Sequence, residues 1–252
     1  MGTGRQSSAM HIHSLPQKSS PLRAGIVAGS VVHVETLALA ASSQVVPLCD
    51  AVEFRADALP SCMEELHHAM TACPVPAILT VRSPAEGGIH SLSDPERAQI
   101  FHLLLDHAAL VDVEIASLDA LREVVLACKE RGIPVVASFH DFKGTPDRAT
   151  LESFTIKAQK AGADAVKFAT TLRQSGDLAI LAALQEAAPL PMATMGMGPL
   201  GRISRLLLAS MGSVVNYGYL DRPTVPGQWP AQRLRELIRE LREESMLPMP
   251  HT

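Results

Sequence analysis

Aromatic residues and long apolar stretches are scarce in this sequence, and basic residues are not in excess. Phenylalanine, tyrosine and tryptophan make up 4% of the 252 residues, which predicts an aliphatic core. No apolar run reaches the length that crosses a membrane. The net charge of −4 gives no electrostatic basis for binding nucleic acid or an anionic membrane surface. A local cluster of basic groups could still bind a small acid.

Cysteine is also rare, and the sequence has no CxxC pair. Four cysteines occur, each in an apolar neighbourhood: Cys49, Cys62, Cys73 and Cys128. Buried, reduced thiols in a cytoplasmic protein are therefore expected. Residues 1–22 lack the apolar segment of a signal peptide and are predicted to form a mobile extension. Residues 23–252 are predicted to form one catalytic domain.

Short β-type runs alternate with helical patterns from residue 24 onward. The eight candidate strands read AGIVAG, AVEFRAD, PAILTVR, LVDVEIA, PVVASFHD, AVKFAT, PMATMGMG and VVNYGY. Eight strand–helix alternations predict an α/β fold in which parallel strands close into a (βα)8 TIM barrel. A doubly wound open sheet is the alternative. The first strand is not followed by GxGxxG, which disfavours the dinucleotide-binding form of that alternative.

Three of the helical segments have recognisable boundaries. One is expected to begin after a Ser93 cap, with an acidic residue in its first turn. The next is expected to begin at a Ser117 cap and to end at Gly132. The last, residues 230–244, repeats leucine and isoleucine on one face opposite charged residues.

Polar side chains share one face of five neighbouring strands. Residues two apart on a strand point the same way, so the apolar alternates would face the helices and the polar ones the barrel interior. The inward set is Glu53, Arg55, Asp57, Thr80, Arg82, Asp112, Glu114, Ser138, His140 and Lys167. One such charge could be a structural ion pair, but a convergent set near the strand ends predicts an active site.

The central question is the use of a lysine inside an alanine-rich strand. Burial among alanines, with Arg55 and Arg82 nearby, would favour a neutral amine at Lys167, which is a nucleophile toward carbonyl carbon. His140 on the preceding strand suits proton transfer. Glu114, one strand further, could hold the second nitrogen of the imidazole.

The remaining polar residues suggest a hydroxylated acid as ligand. Arg55, Arg82 and Arg205 could bind a carboxylate, and Glu53, Asp57 and Glu86 could accept hydrogen bonds from hydroxyls. A metal site is the chief alternative; its candidate ligands are Glu53, Asp112, Glu114 and His140. Arginines and a lysine on the same wall oppose a divalent cation, so no metal is predicted.

Seven segments, in order, resemble type I 3-dehydroquinate dehydratases. They read EFRAD, TVRSPAEGG, VDVEIAS, SFHDFKGTP, GADAVKFATT, MGMGPLGRISR and PTVPGQ, and the resemblance covers roughly residues 24–230. The resemblance implies a homodimeric (βα)8 barrel of the shikimate pathway. It further implies that Lys167 forms a Schiff base with 3-dehydroquinate, that His140 moves protons, and that no cofactor is needed.

The same resemblance assigns the remaining site residues. Glu114 would be the histidine's partner, Arg205 would meet the substrate carboxylate, and the loop with Thr224 and Gln228 would close over the substrate. The substrate-binding set is Glu53, Arg55, Arg82, Glu86, Asp112, Met195, Met197, Arg205, Tyr217, Thr224, Val225 and Gln228. Two positions depart from the family pattern: Tyr217 stands where phenylalanine is common, and Ala28 where serine is common.

Two other functions are compatible with parts of this pattern. A class I aldolase also needs the lysine, and the glycines before Arg205 could form a phosphate site. A non-catalytic sensor of quinate-like acids would need the pocket but not the reactive groups. Turnover of 3-dehydroquinate and covalent trapping with borohydride separate these three hypotheses.

Overall fold

A computed structural model describes residues 22–245. Within this range, eight strands alternate with eight α-helices. The strands are β1 (Ile26–Val31), β2 (Ala51–Arg55), β3 (Ala77–Thr80), β4 (Leu110–Glu114), β5 (Val135–Asp141), β6 (Ala165–Thr171), β7 (Met192–Met197) and β8 (Val215–Tyr219). All eight predicted strands are confirmed. Apart from Leu22, the predicted extension 1–22 lies outside the described residues.

The helices follow the strands in strict alternation. They are α1 (Leu37–Ala40), α2 (Met63–Ala72), α3 (Asp94–Leu104), α4 (Arg122–Arg131), α5 (Arg148–Ala161), α6 (Ser175–Glu186), α7 (Gly201–Ser210) and α8 (Ala231–Ser245). None of the described helices is long and apolar enough to span a bilayer.

The predicted helix boundaries were right at most ends. Ser93 caps α3 in a capping box with Glu96, and α4 ends at Gly132, whose φ of +66° suits glycine. The predicted start of α4 at Ser117 was wrong, because the helix begins at Arg122. The Ser117 hydroxyl instead accepts a hydrogen bond from a buried arginine of α3.

The strands form one parallel sheet in the order β7-β6-β5-β4-β3-β2-β1-β8. The two ends of this sheet meet where the Val214 N–H donates to the Met192 carbonyl at 3.0 Å. The sheet therefore curves into a nearly closed barrel, which confirms the predicted (βα)8 fold and excludes the open doubly wound sheet.

Two apolar regions lie on opposite sides of the strands. The larger one packs between the sheet and the helices, and the smaller one fills the lower interior of the barrel. The lower interior is lined by Ala28, Ala51, Ile78, Leu110, Val136, Ala165, Ala193 and Val215. Two residues further along the same strands, the inward side chains are Ser30, Glu53, Thr80, Asp112, Ser138, Lys167, Met195 and Tyr217. An apolar layer thus supports a mostly polar one near the carboxyl ends of the strands.

The cysteines are free in the described chain. Cys49, Cys73 and Cys128 are buried, and Cys62 is half-buried. Burial raises the pKa of the Cys49 and Cys128 thiols to about 12, which keeps both protonated at neutral pH. The prediction of buried thiols is confirmed for three of the four positions.

Candidate active site

A cavity of about 210 Å³ opens at the carboxyl ends of the strands. Thirteen predicted site residues line it: Glu53, Arg55, Arg82, Glu86, His140, Lys167, Met195, Met197, Arg205, Tyr217, Thr224, Val225 and Gln228. Asp112 and Glu114 do not line it and lie buried below. Six lining residues were not predicted: Ser30, Val32, Gly87, Ile89, Phe142 and Ala169. Of these six, Ser30 could have been predicted from the sequence, because the two-residue alternation along β1 points its side chain into the barrel.

Lys167 lies inside the barrel with 4% of its surface exposed. Its Nζ donates to Asp112 Oδ2 at 2.9 Å and lies 3.8 Å from Glu53 Oε1. The ring of Tyr217 covers it from a third side, with 4.0 Å between Nζ and the ring centroid. The sequence placed Arg55 and Arg82 near this amine. In the structure its ion-pair partners are the carboxylates of Asp112 on β4 and Glu53 on β2.

Asp112 connects the lysine to Arg82. Its Oδ1 accepts from the Ser138 hydroxyl at 2.6 Å and lies 3.0 Å from Arg82 Nη1. Burial alone would raise the pKa of Asp112, but the adjacent Arg82 and Lys167 charges outweigh it and hold the pKa well below its usual range. Asp112 is therefore a permanent anion beneath the amine.

Glu114 does not hold the imidazole, contrary to the expectation from strand order. Its Oε1 accepts from Arg82 Nη1 at 3.0 Å and from the Ser83 N–H at 2.9 Å, and its Oε2 pairs with Arg97. These donors occupy both oxygens of a fully buried carboxylate. Glu114 thus fixes Arg82 and the start of the loop after β3.

Arg97 is a buried residue that the sequence did not reveal. It belongs to α3, outside the barrel wall, and its Nε donates to the Val81 carbonyl at 2.9 Å. It also completes a row of side chains in which cations and anions alternate. The row runs Arg97, Glu114, Arg82, Asp112, Lys167 and Glu53. We call these six residues the charge row.

His140 takes its carboxylate partner from the loop after β3. Its Nδ1 lies 3.0 Å from Glu86 Oε2, and its backbone N–H donates to the same oxygen at 2.9 Å. Burial lowers the pKa of His140 well below its usual value, and the Arg82 and Lys167 charges lower it further. Burial raises the pKa of Glu86 to about 7, although Arg82 opposes this shift. The imidazole is neutral at neutral pH and faces the cavity beside a carboxyl that titrates there.

Hydroxyl and arginine contacts hold the acidic residue of β2 and the one that follows this strand. Glu53 accepts from Ser30 at 2.6 Å and from Thr80 at 3.1 Å. Arg55 and Asp57 form a bidentate pair with both distances at 2.8 Å. Ser30 supplies this polar contact with Glu53 from β1, two residues beyond Ala28.

Arg205 is the cavity's unpaired cation among the described residues. Its Nη1 donates to the Tyr217 carbonyl at 2.9 Å, while its Nε has no hydrogen-bond partner. Burial lowers the pKa of Arg205 to about 10, so the side chain still carries its charge at neutral pH. An arginine in this state is suited to bind the carboxylate of a small acid.

The loop between β8 and α8 covers one side of the cavity. The Thr224 N–H and hydroxyl both donate to Gln228 Oε1, at 2.9 and 3.2 Å. Behind them, Gly227 has a φ of +82° and packs against the start of α7, where an added Cβ would lie 2.6 Å from the Gly198 carbonyl oxygen. Only glycine fits this close approach. The role of this loop as a closing lid stays a prediction.

The residues proposed for a metal site do not form one. No group of three or more His, Cys, Asp or Glu side chains within residues 22–245 is arranged to hold a metal ion. Asp112 and Glu114 are instead paired with Arg82, and Glu53 with Lys167.

The fold and the cavity define a class of protein. A parallel barrel with titratable side chains converging at the carboxyl ends of its strands is a (βα)8-barrel enzyme.

Comparison with known proteins identifies the family. Residues 31–245 match the family model described as Type I 3-dehydroquinase. A 3-dehydroquinate dehydratase from Methanocella arvoryzae is 33% identical over 198 residues, covering 76% of this chain and 87% of the relative. One from Enterococcus faecalis is 30% identical over 224 residues, covering 81% and 87%.

A solved structure agrees with these sequence matches. The crystal structure of 3-dehydroquinate dehydratase from Geobacillus kaustophilus superimposes with a TM-score of 0.79 at 28% identity, covering 87% of this chain and 92% of that one. The chain belongs to the type I 3-dehydroquinase family. It is a lyase of the type I 3-dehydroquinate dehydratase class.

Proposed function

We propose that this enzyme converts 3-dehydroquinate to 3-dehydroshikimate in the shikimate pathway, through a Schiff base on Lys167 with His140 as general acid and base. One observation carries the proposal: in a member of this family, a buried lysine and a neutral imidazole from adjacent strands line the same cavity. The amine supplies the nucleophile, and the imidazole exchanges protons with the substrate.

Imine formation begins with loss of a proton from the Lys167 ammonium to the neutral His140. The free amine attacks the C3 ketone, and the carbinolamine forms. The imidazolium returns its proton to the carbinolamine hydroxyl, which leaves as water. Asp112 remains anionic beside the nitrogen and stabilises the resulting cationic iminium.

Elimination then uses the iminium as an electron sink. His140 takes a proton from C2, and the C–H electron pair moves toward nitrogen to give an enamine. The enamine then expels the C1 hydroxyl as the leaving group. This hydroxyl receives the proton from His140 and departs as water. Addition of water to the conjugated iminium releases 3-dehydroshikimate and regenerates Lys167.

The cavity's other groups hold the substrate. Arg205 binds the carboxylate, since it is the cation left unpaired in the described cavity wall. Glu53, Arg55 and Arg82 bind ring hydroxyls, and Glu86 orients the imidazole through Nδ1, leaving Nε2 for proton transfer. Met195 and Met197 form the apolar wall, and the loop with Thr224, Val225 and Gln228 closes over the substrate and limits access of water.

A homodimer in the cytoplasm completes the proposal. Support comes from the family resemblance and from the free cysteines among the described residues, which suit a reducing compartment. Light scattering coupled to size-exclusion chromatography tests the dimer; a mass of one chain would contradict it.

The decisive experiment is borohydride reduction during turnover. We expect 3-dehydroquinate with borohydride to add the mass of the reduced adduct to Lys167, and a Lys167→Arg variant to remain unmodified and inactive. Lys160→Arg is the control, since Lys160 is an exposed lysine of α5, and it should label like the parent. Turnover without any adduct, or an adduct on another lysine, would refute the mechanism. Adduct formation with phosphorylated ketoses only would favour an aldolase.

A further inference from the structure

The tyrosine of β8 carries a buried hydroxyl without a partner. Tyr217 is 4% exposed, lines the cavity, and its hydroxyl makes no hydrogen bond within the described structure. Leaving such a group unpaired costs roughly 1–3 kcal/mol, so a buried orphan hydroxyl in a cavity wall indicates a missing partner.

The neighbouring acceptors do not supply that partner. Glu53 is engaged by Ser30 and Thr80, and Asp112 by Ser138 and Lys167. Both carboxylates raise the pKa of Tyr217, but burial raises it most, and the phenol therefore stays protonated at working pH. The hydroxyl therefore has a proton that it can donate in a hydrogen bond.

The ring that carries this donor lies next to the proposed nucleophile. Lys167 Nζ lies 4.0 Å from the ring centroid of Tyr217. A substrate carbon bonded to that nitrogen would therefore lie close to the tyrosine ring. Arg205, the other unsatisfied donor of the cavity, is anchored to the backbone carbonyl of Tyr217 and serves the carboxylate.

We propose that the Tyr217 hydroxyl donates a hydrogen bond to a ring hydroxyl of the bound substrate and thereby determines specificity for hydroxylated substrates. This inference rests on the proposed function. The ring face of Tyr217 and its hydroxyl then have separate tasks: the face contacts the amine, and the hydroxyl contacts the substrate.

Tyr217→Phe isolates the hydroxyl, because it retains the ring over Lys167. We expect KM for 3-dehydroquinate to rise about 3- to 10-fold, the loss typical of one hydrogen bond, with kcat within about twofold of the parent. The penalty should disappear for the substrate analogue that lacks the contacted ring hydroxyl and persist for analogues lacking the others. The midpoint of thermal unfolding should stay unchanged or rise, since an unpaired buried donor is removed.

Tyr219→Phe is the matched control. It changes the chain's only other tyrosine, which lies on the same strand but does not line the cavity, and its KM should equal that of the parent. An unchanged KM in Tyr217→Phe, or a penalty equal for all analogues, would overturn the substrate contact. A parent that does not turn over 3-dehydroquinate would refute the proposed function itself, and this inference with it.

Discussion

Lys167 Nζ on β6 and Asp112 Oδ2 on β4 form a buried ion pair at 2.9 Å inside the barrel. Removing one partner of such a pair leaves a charge that water cannot reach. The lysine is therefore a structural cation as well as the proposed nucleophile.

We expect Lys167→Met to abolish turnover and also to lower the free energy of unfolding by about 3 kcal/mol, because Asp112 keeps only Arg82 as a cationic neighbour. Lys167→Met combined with Asp112→Asn should recover most of this loss while staying inactive. Urea denaturation measures both. A single variant as stable as the parent would show that the ion pair contributes nothing to folding.

His140 should affect the rate far more than the fold. We expect His140→Asn to lower kcat roughly 10²- to 10⁴-fold, the range for general acid–base groups, with a much smaller change in KM. His102→Asn, at an exposed position of α3, is the control and should match the parent. If His140→Asn kept the parental pH–rate profile, the imidazole would not be the proton carrier.

Glu86 should make stability depend on pH in a defined direction. Its pKa rises from 4.5 to about 7 on folding, so the folded state binds the proton more tightly. Its contribution to stability is therefore complete below pH 4.5 and is lost as the pH rises through 7.

We expect the parent to lose up to about 3 kcal/mol of unfolding free energy, relative to Glu86→Gln, between pH 4.5 and 8. Glu64→Gln, at an exposed position of α2, should show no such divergence. Chemical denaturation at several pH values measures the difference. Parallel curves for the parent and Glu86→Gln would mean that the carboxyl titrates alike in both states.

Arg97 should be essential to the fold although it lies on an outer helix. Arg97→Met leaves Glu114 buried with one cation fewer, and we expect a loss of about 3–5 kcal/mol. Adding Glu114→Gln should reduce that loss. Arg148→Met breaks an exposed pair with Glu152 on α5 and should change stability by less than about 0.5 kcal/mol. Equal effects of Arg97→Met and Arg148→Met would contradict the buried role.

Strand alternation made most of the site predictable. Charged residues two apart, as at Asp112 and Glu114, had to share a face, and the apolar alternates identified the face toward the helices. The same rule located Lys167 and His140 on one wall. It could not say which carboxylate reaches the imidazole, because strand order gives neighbours within the sheet and is silent about loops. Glu86, which arrives from the loop after β3, therefore holds the ring where Glu114 had been expected.

Contacts that cross the barrel wall could not be predicted from the sequence either. Arg97 reads as an ordinary charge in the first turn of a helix, and nothing in its spacing indicates that it passes inward to Glu114. The mistaken start of α4 has the same origin, since Ser117 bonds to that arginine and does not cap a helix. A contact made by a long side chain between the helix layer and the barrel interior can be identified only when the packing of the two layers is known.

The charge row is balanced while Lys167 is an ammonium: Arg97, Arg82 and Lys167 face Glu114, Asp112 and Glu53. A free amine would leave one surplus negative charge among these buried side chains, and an iminium would restore neutrality. In the proposed reaction, the charge row is therefore neutral both before the amine loses its proton and after the covalent bond to the substrate has formed.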